Sequence, residues 1–166
     1  MNIELKNWSS EDKQSLIKIC NAIDRTYLSD RIPDPYTAES ADWWLDMVNK
    51  SEEKDGIFRK IVVDNEVVGN ISVEQKGDVY RQDAEIGYFL LPENYSQGIM
   101  TEAVRQICKI AFERLNIIRI TGSVYEPNWA SRKVLEKNGF VLEGLMKKAV
   151  VKNGNIYDLC IYGKAK

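Results

Sequence analysis

The sequence predicts a single α/β domain, because strand-like and helix-like hydrophobic patterns alternate along it until strands dominate near the end. The order of these patterns is βααβββαβαββ, which gives about seven strands and about four helices. The chain has 166 residues, a length that fits one domain, so we assign residues 1–166 to one domain. Its 44% hydrophobic and 29% charged residues are typical of a globular protein with a packed core.

The first part of the chain predicts one strand and two helices. Residues 2–8 form a short strand, and Ser9 and Asp12 have the spacing of a capping box that starts the first helix. The segment 25–36 holds two prolines and is typical of a loop. Thr37 is placed to cap the second helix, whose apolar residues repeat at helical spacing.

The middle of the chain predicts three strands and the longest helix. Residues 57–64 and 66–75 are typical of two strands that meet at a tight turn. Residues 83–91 predict a third strand, which leads into the site discussed below. Residues 98–115 carry the strongest helical periodicity in the chain.

The last part of the chain predicts a strand at residues 117–125, a short helix, and two final strands at residues 140–151 and 155–162. The two final strands pair as a hairpin, because the Asn153-Gly154 dipeptide between them favours a two-residue turn. The chain shows neither an internal repeat nor a linker, so nothing in it indicates a second domain.

Composition excludes several classes of active site. The chain contains no histidine, so it cannot build a Ser-His-Asp triad, a Cys-His pair or a histidine-ligated zinc site. A general base must therefore be a carboxylate, Lys, Tyr, Cys or a water held by such groups. The net charge of −2 argues against a broad basic face, so we expect no direct contact with nucleic acid.

The cysteines and the apolar runs indicate where the protein works. Cys20, Cys108 and Cys160 are far apart and form no CxxC pair, which is typical of buried thiols in a reducing compartment. No apolar run approaches the ~18 residues of a membrane helix. The N-terminus lacks the basic-then-apolar pattern of a signal peptide. We therefore expect a cytoplasmic protein, monomeric or homodimeric, with no membrane partner.

One candidate site lies in the segment DAEIGYFLLPENYSQGIMTEAV, where a strand leads into a helix. Gly98 opens that helix, so free backbone N–H groups point at one spot, and the helix dipole adds positive potential there. Such a helix end binds phosphate without Lys or Arg, and Thr101 can add a hydroxyl. The alternative is a glycine that merely starts a helix, since the segment is neither a Walker A loop nor a GxGxxG motif.

A second candidate site lies in the segment YEPNWASRKVLEKNGF, where another strand leads into a short helix. Asn128 is a natural N-cap for this helix, and that structural role alone is sufficient to explain it. Ser131 sits one turn further along, where its hydroxyl could point back toward the preceding strand. A structural serine in the first helical turn is the alternative.

Together, the runs EIGYFLLPENYSQGIMTEAV and FERLNIIRITGSVYEPNWASRKVLEKNGFVLEG resemble the GCN5-related N-acetyltransferase (GNAT) superfamily. Within it, the chain is similar to the RimJ/RimL-like branch that acetylates N-termini of ribosomal proteins. The likeness covers roughly residues 2–164, and DRIPDPYTAESADWW matches the helix-loop-helix segment of that branch. The resemblance implies a mixed, mostly antiparallel central sheet that is splayed in the middle and flanked by the helices.

The resemblance also implies that acetyl-CoA is the co-substrate, that it lies in the V of the splayed sheet, and that no metal is required. In such enzymes the pantetheine arm pairs with the backbone of the splayed strand, and the pyrophosphate sits on amides of the following loop. Asn128 matches the asparagine that contacts the pantetheine or acetyl end. The corresponding positions are Phe89, Leu90 and Leu91 for the arm, Gln97, Gly98, Ile99, Met100 and Thr101 for the pyrophosphate, and Asn128, Ser131 and Lys133 for the rest of the cofactor.

The pyrophosphate loop departs from the usual family pattern, which is Gln or Arg, two residues, Gly, one residue, then Gly or Ala. Tyr95 takes the first place and Met100 the last. Ser96 replaces a commoner glycine, and Gln97 replaces a commoner Lys or Arg. The lost side-chain charge would weaken phosphate affinity. Arg132 and Lys133 could meet the 3′-phosphate, although ordinary surface charge is the alternative for that pair.

Two residues are candidates for the chemistry of acetyl transfer. Glu85 matches the glutamate that the family places near the substrate amine, often acting through water. It lies on the same strand face as Gly87 and Phe89, where we expect partial burial to make it a stronger base; a solvated or ion-paired Glu is the alternative. Ser131 matches the hydroxyl proposed to protonate the leaving thiolate. A backbone N–H near Leu90 is the natural oxyanion donor.

The acceptor side is less clearly marked in the sequence. Tyr36 and Trp43, with Met47, are candidates for an apolar wall of the acceptor groove. Asp158 could hold the incoming ammonium, and a structural hydrogen bond is an equal alternative. The expected acceptor is a primary amine, either a protein N-terminus or a small amine such as a polyamine, amino sugar or antibiotic. A non-catalytic acyl-CoA sensor is the alternative from a different functional class.

Overall fold

The protein, described at all 166 residues by a computed structural model, follows the element order that the sequence predicts. A seven-stranded sheet with four α-helices confirms the predicted fold class. The strands are β1 (Ile3–Asn7), β2 (Gly56–Val63), β3 (Glu66–Gln75), β4 (Asp83–Leu90), β5 (Arg119–Tyr125), β6 (Val141–Lys152) and β7 (Asn155–Ala165), and the helices are α1 (Lys13–Ala22), α2 (Ala38–Ser51), α3 (Ile99–Arg114) and α4 (Trp129–Lys137).

The sheet has the strand order β1-β2-β3-β4-β5-β7-β6. Every neighbouring pair is antiparallel except β4 and β5, which run parallel. A parallel pair needs a long crossover connection, and α3 supplies it between β4 and β5. The start of α3 therefore lies at the end of β4, next to the one parallel junction of the sheet.

The parallel pairing of β4 and β5 is short, so the sheet splays in the middle, as the family resemblance implied. β4 and β5 pair only from Asp83–Arg119 to Ile86–Gly122. Beyond that point β4 stays paired with β3 as far as Leu90, while β5 stays paired with β7 as far as Tyr125. The two strands therefore separate, and each leaves one backbone edge without a strand partner.

Two hydrophobic cores cover the two faces of the sheet. The larger core packs α3 against the sheet and takes Ala84, Ile86 and Leu90 from β4. The smaller core lies under α1 and α2, and Phe89 packs against it from the opposite face of the same strand. Because side chains alternate along a strand, β4 anchors both cores and separates the two sides of the sheet.

The loop between α1 and α2 is held by hydrogen bonds from side chains to the backbone. The Asn21 amide bonds both the carbonyl and the N–H of Tyr36, at 2.9 and 2.8 Å. The Arg25 guanidinium donates to the carbonyls of Cys20, Ile32 and Pro33. These contacts satisfy loop carbonyls that would otherwise lack partners, and they fix the loop beside the sheet.

Local turn chemistry confirms several sequence predictions. Thr37 caps α2 by accepting from the Ser40 N–H, as predicted. Asn153 and Gly154 adopt positive φ angles of 50° and 79° in the β6–β7 hairpin, as a two-residue turn requires.

The three cysteines are free and buried, and burial raises the pKa of Cys20 to about 12 and that of Cys108 to about 11. No helix is long and apolar enough to cross a membrane.

Gly69 of β3 and Gly87 of β4 give a matched test of how closely these two strands approach each other. A Cβ added at Gly69 would lie 2.4 Å from the Phe89 carbonyl oxygen, whereas one added at Gly87 would meet nothing within 4 Å. We expect Gly69→Ala to destabilise the protein by about 1–3 kcal/mol, the usual range for overpacking. Gly87→Ala should stay within about 0.5 kcal/mol of the parent. Thermal unfolding measures both, and equal melting temperatures would contradict the close β3–β4 approach.

Candidate active site

A cleft of about 1400 Å³ opens where β4 and β5 separate. Its walls come from the α1–α2 loop, α2, β4, the start of α3 and the first turns of α4. Pockets for small ligands are usually about 300–1,000 Å³, so this cleft has room for a long ligand and a second reactant. Nearly all of the site residues predicted from sequence lie along it.

The free edge of β4 forms one wall of the cleft. Phe89 and Leu90 line it, in the part of the strand that has lost its pairing with β5. Leu91 differs from the prediction, because its N–H donates to the Val68 carbonyl and its own carbonyl accepts from the Asn94 N–H. Both backbone groups of Leu91 are therefore occupied, and Leu91 does not line the cleft.

The start of α3 presents unpaired backbone donors to the cleft. Gly98 is the N-cap at φ +78° and has no side chain that could cap the helix. The first backbone hydrogen bond of the helix runs from the Glu102 N–H to the Gly98 carbonyl. The N–H groups of the first helical turn thus have no partner within the helix. Gly98, Ile99, Met100 and Thr101 all lie at the cleft, although the Ile99 side chain itself is buried in the core.

The two residues before Gly98 behave differently from each other. Ser96 adopts φ +59°, the left-handed conformation that explains why the family commonly has glycine at this place. Gln97 turns its side chain away from the cleft and donates to the Glu93 carbonyl at 3.1 Å. The side chain of Gln97 is therefore not placed to replace the charge of the commoner Lys or Arg.

The start of α4 faces the free edge of β4 across the cleft. Asn128 is the N-cap, as predicted, and its Oδ1 accepts from the Ser131 N–H at 3.4 Å. The Ser131 hydroxyl lies 2.7 Å from the Tyr88 hydroxyl, which reaches over from β4. Burial raises the pKa of Tyr88. Sequence reasoning missed Tyr88, because strand alternation gives its face but not its partner.

The positive charge of α4 is distributed differently from the prediction. Lys133 is exposed, lines the cleft and has no ion-pair partner. The same is true of Lys137, one turn further along α4. Sequence reasoning missed Lys137, although its i,i+4 spacing from Lys133 was the available signal. Arg132 is buried: its Nε donates to the Tyr162 hydroxyl at 3.0 Å, and its guanidinium lies 3.7 Å from the Trp129 ring centre. Arg132 is therefore neither a phosphate ligand nor surface charge.

Carboxylates mark the opposite side of the cleft. Glu85 lines the cleft but is exposed, so the expected partial burial is wrong. Its register partner on β3 is Glu74, which also lines the cleft. Neither carboxylate forms an ion pair; Glu74 contacts only the Ser72 hydroxyl, at 3.4 Å. Like charges directly opposite each other on a sheet repel, so an unpaired couple of this kind favours a bound cation.

The predicted acceptor wall is present, and its members differ in burial. Tyr36 is buried in the smaller core and also lines the cleft. Trp43 is 70% exposed and lies on the rim, with the half-buried Met47 beside the same cleft. Gly87 lies between Glu85 and Phe89 along β4, and its open space leaves a gap above the strand.

Asp158 lies outside this arrangement. Its Oδ1 accepts from the Lys148 N–H at 2.8 Å and its Oδ2 from the Lys147 ammonium at 3.3 Å. The backbone bond from Lys148 lowers the pKa of Asp158. Lys148 has φ +53° at a register shift in β6, so Asp158 stabilises an irregular strand. Asp158 does not line the cleft, so its position supports the structural alternative rather than the role in acceptor binding.

Comparison with known proteins gives a consistent family. The family model of an acetyltransferase (GNAT) domain matches residues 2–141. The probable N-acetyltransferase YjcK of Bacillus subtilis is 39% identical over 129 residues, which are 75% of this chain and 70% of that protein. The ribosomal-protein-serine acetyltransferase of Escherichia coli is 29% identical over 104 residues, which are 63% of this chain and 58% of that protein.

Solved structures agree with the sequence comparisons. The ribosomal-protein-S5-alanine acetyltransferase from Vibrio fischeri superposes with a TM-score of 0.85 at 25% identity, covering 99% of this chain and 93% of that one. The ribosomal L7/L12 alpha-N-protein acetyltransferase RimL, solved with coenzyme A, gives a TM-score of 0.86 at 23% identity, covering 99% of this chain and 94% of that one. A likeness at this level of identity shows the fold alone. With the family model covering most of its length, this chain belongs to the GNAT family of N-acetyltransferases and resembles its RimJ/RimL-like branch.

Proposed function

We propose that this N-acetyltransferase transfers the acetyl group of acetyl-CoA to the N-terminal α-amino group of a protein, by direct attack in a ternary complex. The observation that carries the proposal is the composition of the single cleft between β4 and β5. Its walls present a free strand edge, an uncapped helix start and two unpaired carboxylates. These features are complementary to amides, phosphates and an ammonium group respectively.

The residues at the cleft fit acetyl-CoA, which supplies the thioester acyl group when bound. The backbone of Leu90 lies on the open edge of β4, where it can bond an amide-containing arm. Phe89 lines the cleft, but its carbonyl points toward β3, so the predicted backbone role passes to Leu90 alone. The uncapped amides after Gly98 suit a pyrophosphate. Lys133 and Lys137 add free positive charge for a further phosphate. Because the Asn128 Oδ1 caps α4, its amide N–H₂ remains available as a donor.

The chain's own residues can divide the proton chemistry between them. Glu74 and Glu85 attract the ammonium form of the acceptor, and Glu85 accepts the proton that the amine gives up, directly or through a water. In this proposal, a backbone N–H near Leu90 stabilises the carbonyl oxygen as negative charge develops there. Ser131 donates a hydrogen bond to the sulfur as the C–S bond breaks, in the first turn of a helix whose dipole favours negative charge.

The strength of the available base favours an α-amino group over a lysine side chain. An α-amino group has a pKa of about 7.7–8.0 and a lysine about 10.4, so at neutral pH roughly 300-fold more of the α-amine is already neutral. Glu85 is an exposed carboxylate rather than a buried one, and such a base suits the amine that needs less help. Relatives named as ribosomal-protein acetyltransferases support the same class of acceptor.

A peptide panel tests the acceptor class. We expect thiol release from acetyl-CoA to depend on added amine and to be fastest with short peptides that carry a free N-terminal Ser or Ala. The matched control is the same peptide with an acetylated N-terminus and one internal lysine. We expect it to react at least about 100-fold more slowly. Faster turnover of polyamines or amino sugars than of every peptide would overturn the protein acceptor.

Gly98 and Gly154 allow a matched test of the pyrophosphate position. Both have φ near +80°, at 78° and 79°, and neither has an atom within 4 Å of an added Cβ, but only Gly98 lies at the cleft. Gly98→Glu places negative charge at the free amides and should weaken CoA binding by about tenfold or more, which is about 1.4 kcal/mol. Gly154→Glu carries the same backbone strain and should bind CoA normally. Calorimetric titration decides, and equal affinities would refute the placement.

The proposed base is tested by replacing carboxylates with amides of the same shape. Glu85→Gln should lower kcat/KM at neutral pH by about tenfold or more, with partial recovery at high pH, where the amine is already neutral. Glu74→Gln should act mainly on the KM for the amine, because it removes attraction rather than the base. Glu66→Gln, at the exposed start of β3, is the control. A Glu85→Gln enzyme with the parent rate across the pH range would make Glu85 structural.

A further inference from the structure

The hydrogen bond between Tyr88 and Ser131 joins the two sides of the cleft. Tyr88 follows Ile86, the last residue of β4 that pairs with β5, so its side chain leaves the strand where the sheet has already opened. Its hydroxyl lies 2.7 Å from the Ser131 Oγ and 3.4 Å from the Ser131 carbonyl oxygen. The phenol ring packs against the larger core, which leaves the hydroxyl little freedom to turn elsewhere.

We propose that Tyr88 is a positioning residue for acetyl transfer: its phenolic O–H donates to the Ser131 Oγ and leaves the Ser131 O–H free to point at the departing sulfur. The inference rests on the proposed function, because it assigns Tyr88 through the role given to Ser131. It adds a residue on β4 to a step that otherwise depends on α4 alone.

The geometry favours Tyr88 as the donor of this hydrogen bond. A hydroxyl carries one hydrogen, so the pair can bond in either of two directions. If Ser131 donated to Tyr88, the phenol hydrogen would be left with the Ser131 carbonyl at 3.4 Å, well beyond the usual O–H···O distance of about 2.7–2.8 Å. Donation from Tyr88 to the Oγ uses the 2.7 Å contact and leaves the serine hydrogen available.

Tyr88 keeps its proton during the reaction. Burial raises the pKa of the phenol, the hydrogen bond with Ser131 lowers it in part, and a charge on Cys108 of α3 would raise it further. Burial also raises the pKa of the Cys108 thiol to about 11, so this neighbour is uncharged. A thiol has an ordinary pKa of about 8.5, so passing the tyrosine proton to the CoA thiolate would be uphill.

The group transfer balances without a proton from Tyr88. The amine nitrogen forms the new C–N bond, and the C–S bond breaks with its electron pair on sulfur. The amine proton goes to Glu85, directly or through a water, and the thiolate takes its proton later from solvent. Ser131 only stabilises the thiolate by a hydrogen bond, and Tyr88 orients that bond.

The first test uses Tyr88→Phe, which keeps the ring and removes the hydroxyl. We expect kcat to fall about 3–10-fold, while the KM for acetyl-CoA changes less than about twofold. In the Ser131→Ala background the same change should have no further effect on kcat, because Tyr88 acts through Ser131. Tyr80→Phe, at a tyrosine that is 66% exposed and outside the cleft, is the control. A parent-like kcat, or losses that multiply in the double variant, would overturn the inference.

The second test does not depend on acetyl transfer. The acidity of the CoA thiol bound to the protein is followed by its thiolate absorbance in the ultraviolet, with desulfo-CoA as the blank. We expect the bound thiol to be more acidic than free CoA and to become about 3–10-fold less acidic in Tyr88→Phe. Equal acidity in the two proteins would overturn the role of Tyr88.

The two tests also separate the inference from the proposed function. A protein that shifts the thiol acidity through Tyr88 but transfers acetyl to no amine would refute the proposed function and support the inference. Amine-dependent transfer with no effect of Tyr88→Phe in either test would refute the inference alone. A protein that binds no CoA would refute both.

Discussion

The early end of β4–β5 pairing is the constraint on which the rest of the site depends. After Ile86 and Gly122 the two strands no longer bond each other, although each keeps its outer partner. Gly122, the last residue of β5 in this pairing, has no Cβ, and a Cβ there would lie 2.8 Å from Leu135 of α4. Its absence lets α4 pack directly on β5. The opened edges carry backbone groups that need partners, and a cleft of this size admits a ligand that supplies them.

The two helices that begin at the cleft start in different ways, and the difference divides their roles. α4 begins with Asn128, whose side chain satisfies the Ser131 N–H and fixes the first turn that carries the Ser131 hydroxyl. α3 begins with Gly98, which satisfies none of the amides that follow it. Proteins rarely leave such donors without a partner, so the uncapped helix is the one suited to bind an anion. In the proposed function, phosphate binding and thiolate stabilisation thus belong to separate helix starts.

Local features of the site could be predicted from the sequence, while the assignments that failed depend on distant partners. The elements, turns and caps follow from periodicity and from residues such as Thr37 and Gly154 that act on their own neighbours. Arg132 was misassigned because its partner Tyr162 lies 30 positions away, and no pattern within α4 reveals it. Asp158 similarly bonds a strand bulge across the hairpin. The Tyr88–Ser131 contact spans 43 positions and required the folded sheet.

The absence of histidine gives the proposed chemistry a consistent form. Histidine is the one side chain whose ordinary pKa lies between about pH 5 and 8, and the chain contains none. The polar groups of the cleft include the Glu74–Glu85 couple, which suits a cation, and the Tyr88–Ser131 pair, to which we assign the stabilisation of an anion. An acceptor α-amine, in contrast, changes protonation close to neutrality by itself. An α-amine, which loses its proton more easily than a lysine, is the acceptor such a site can use with least assistance.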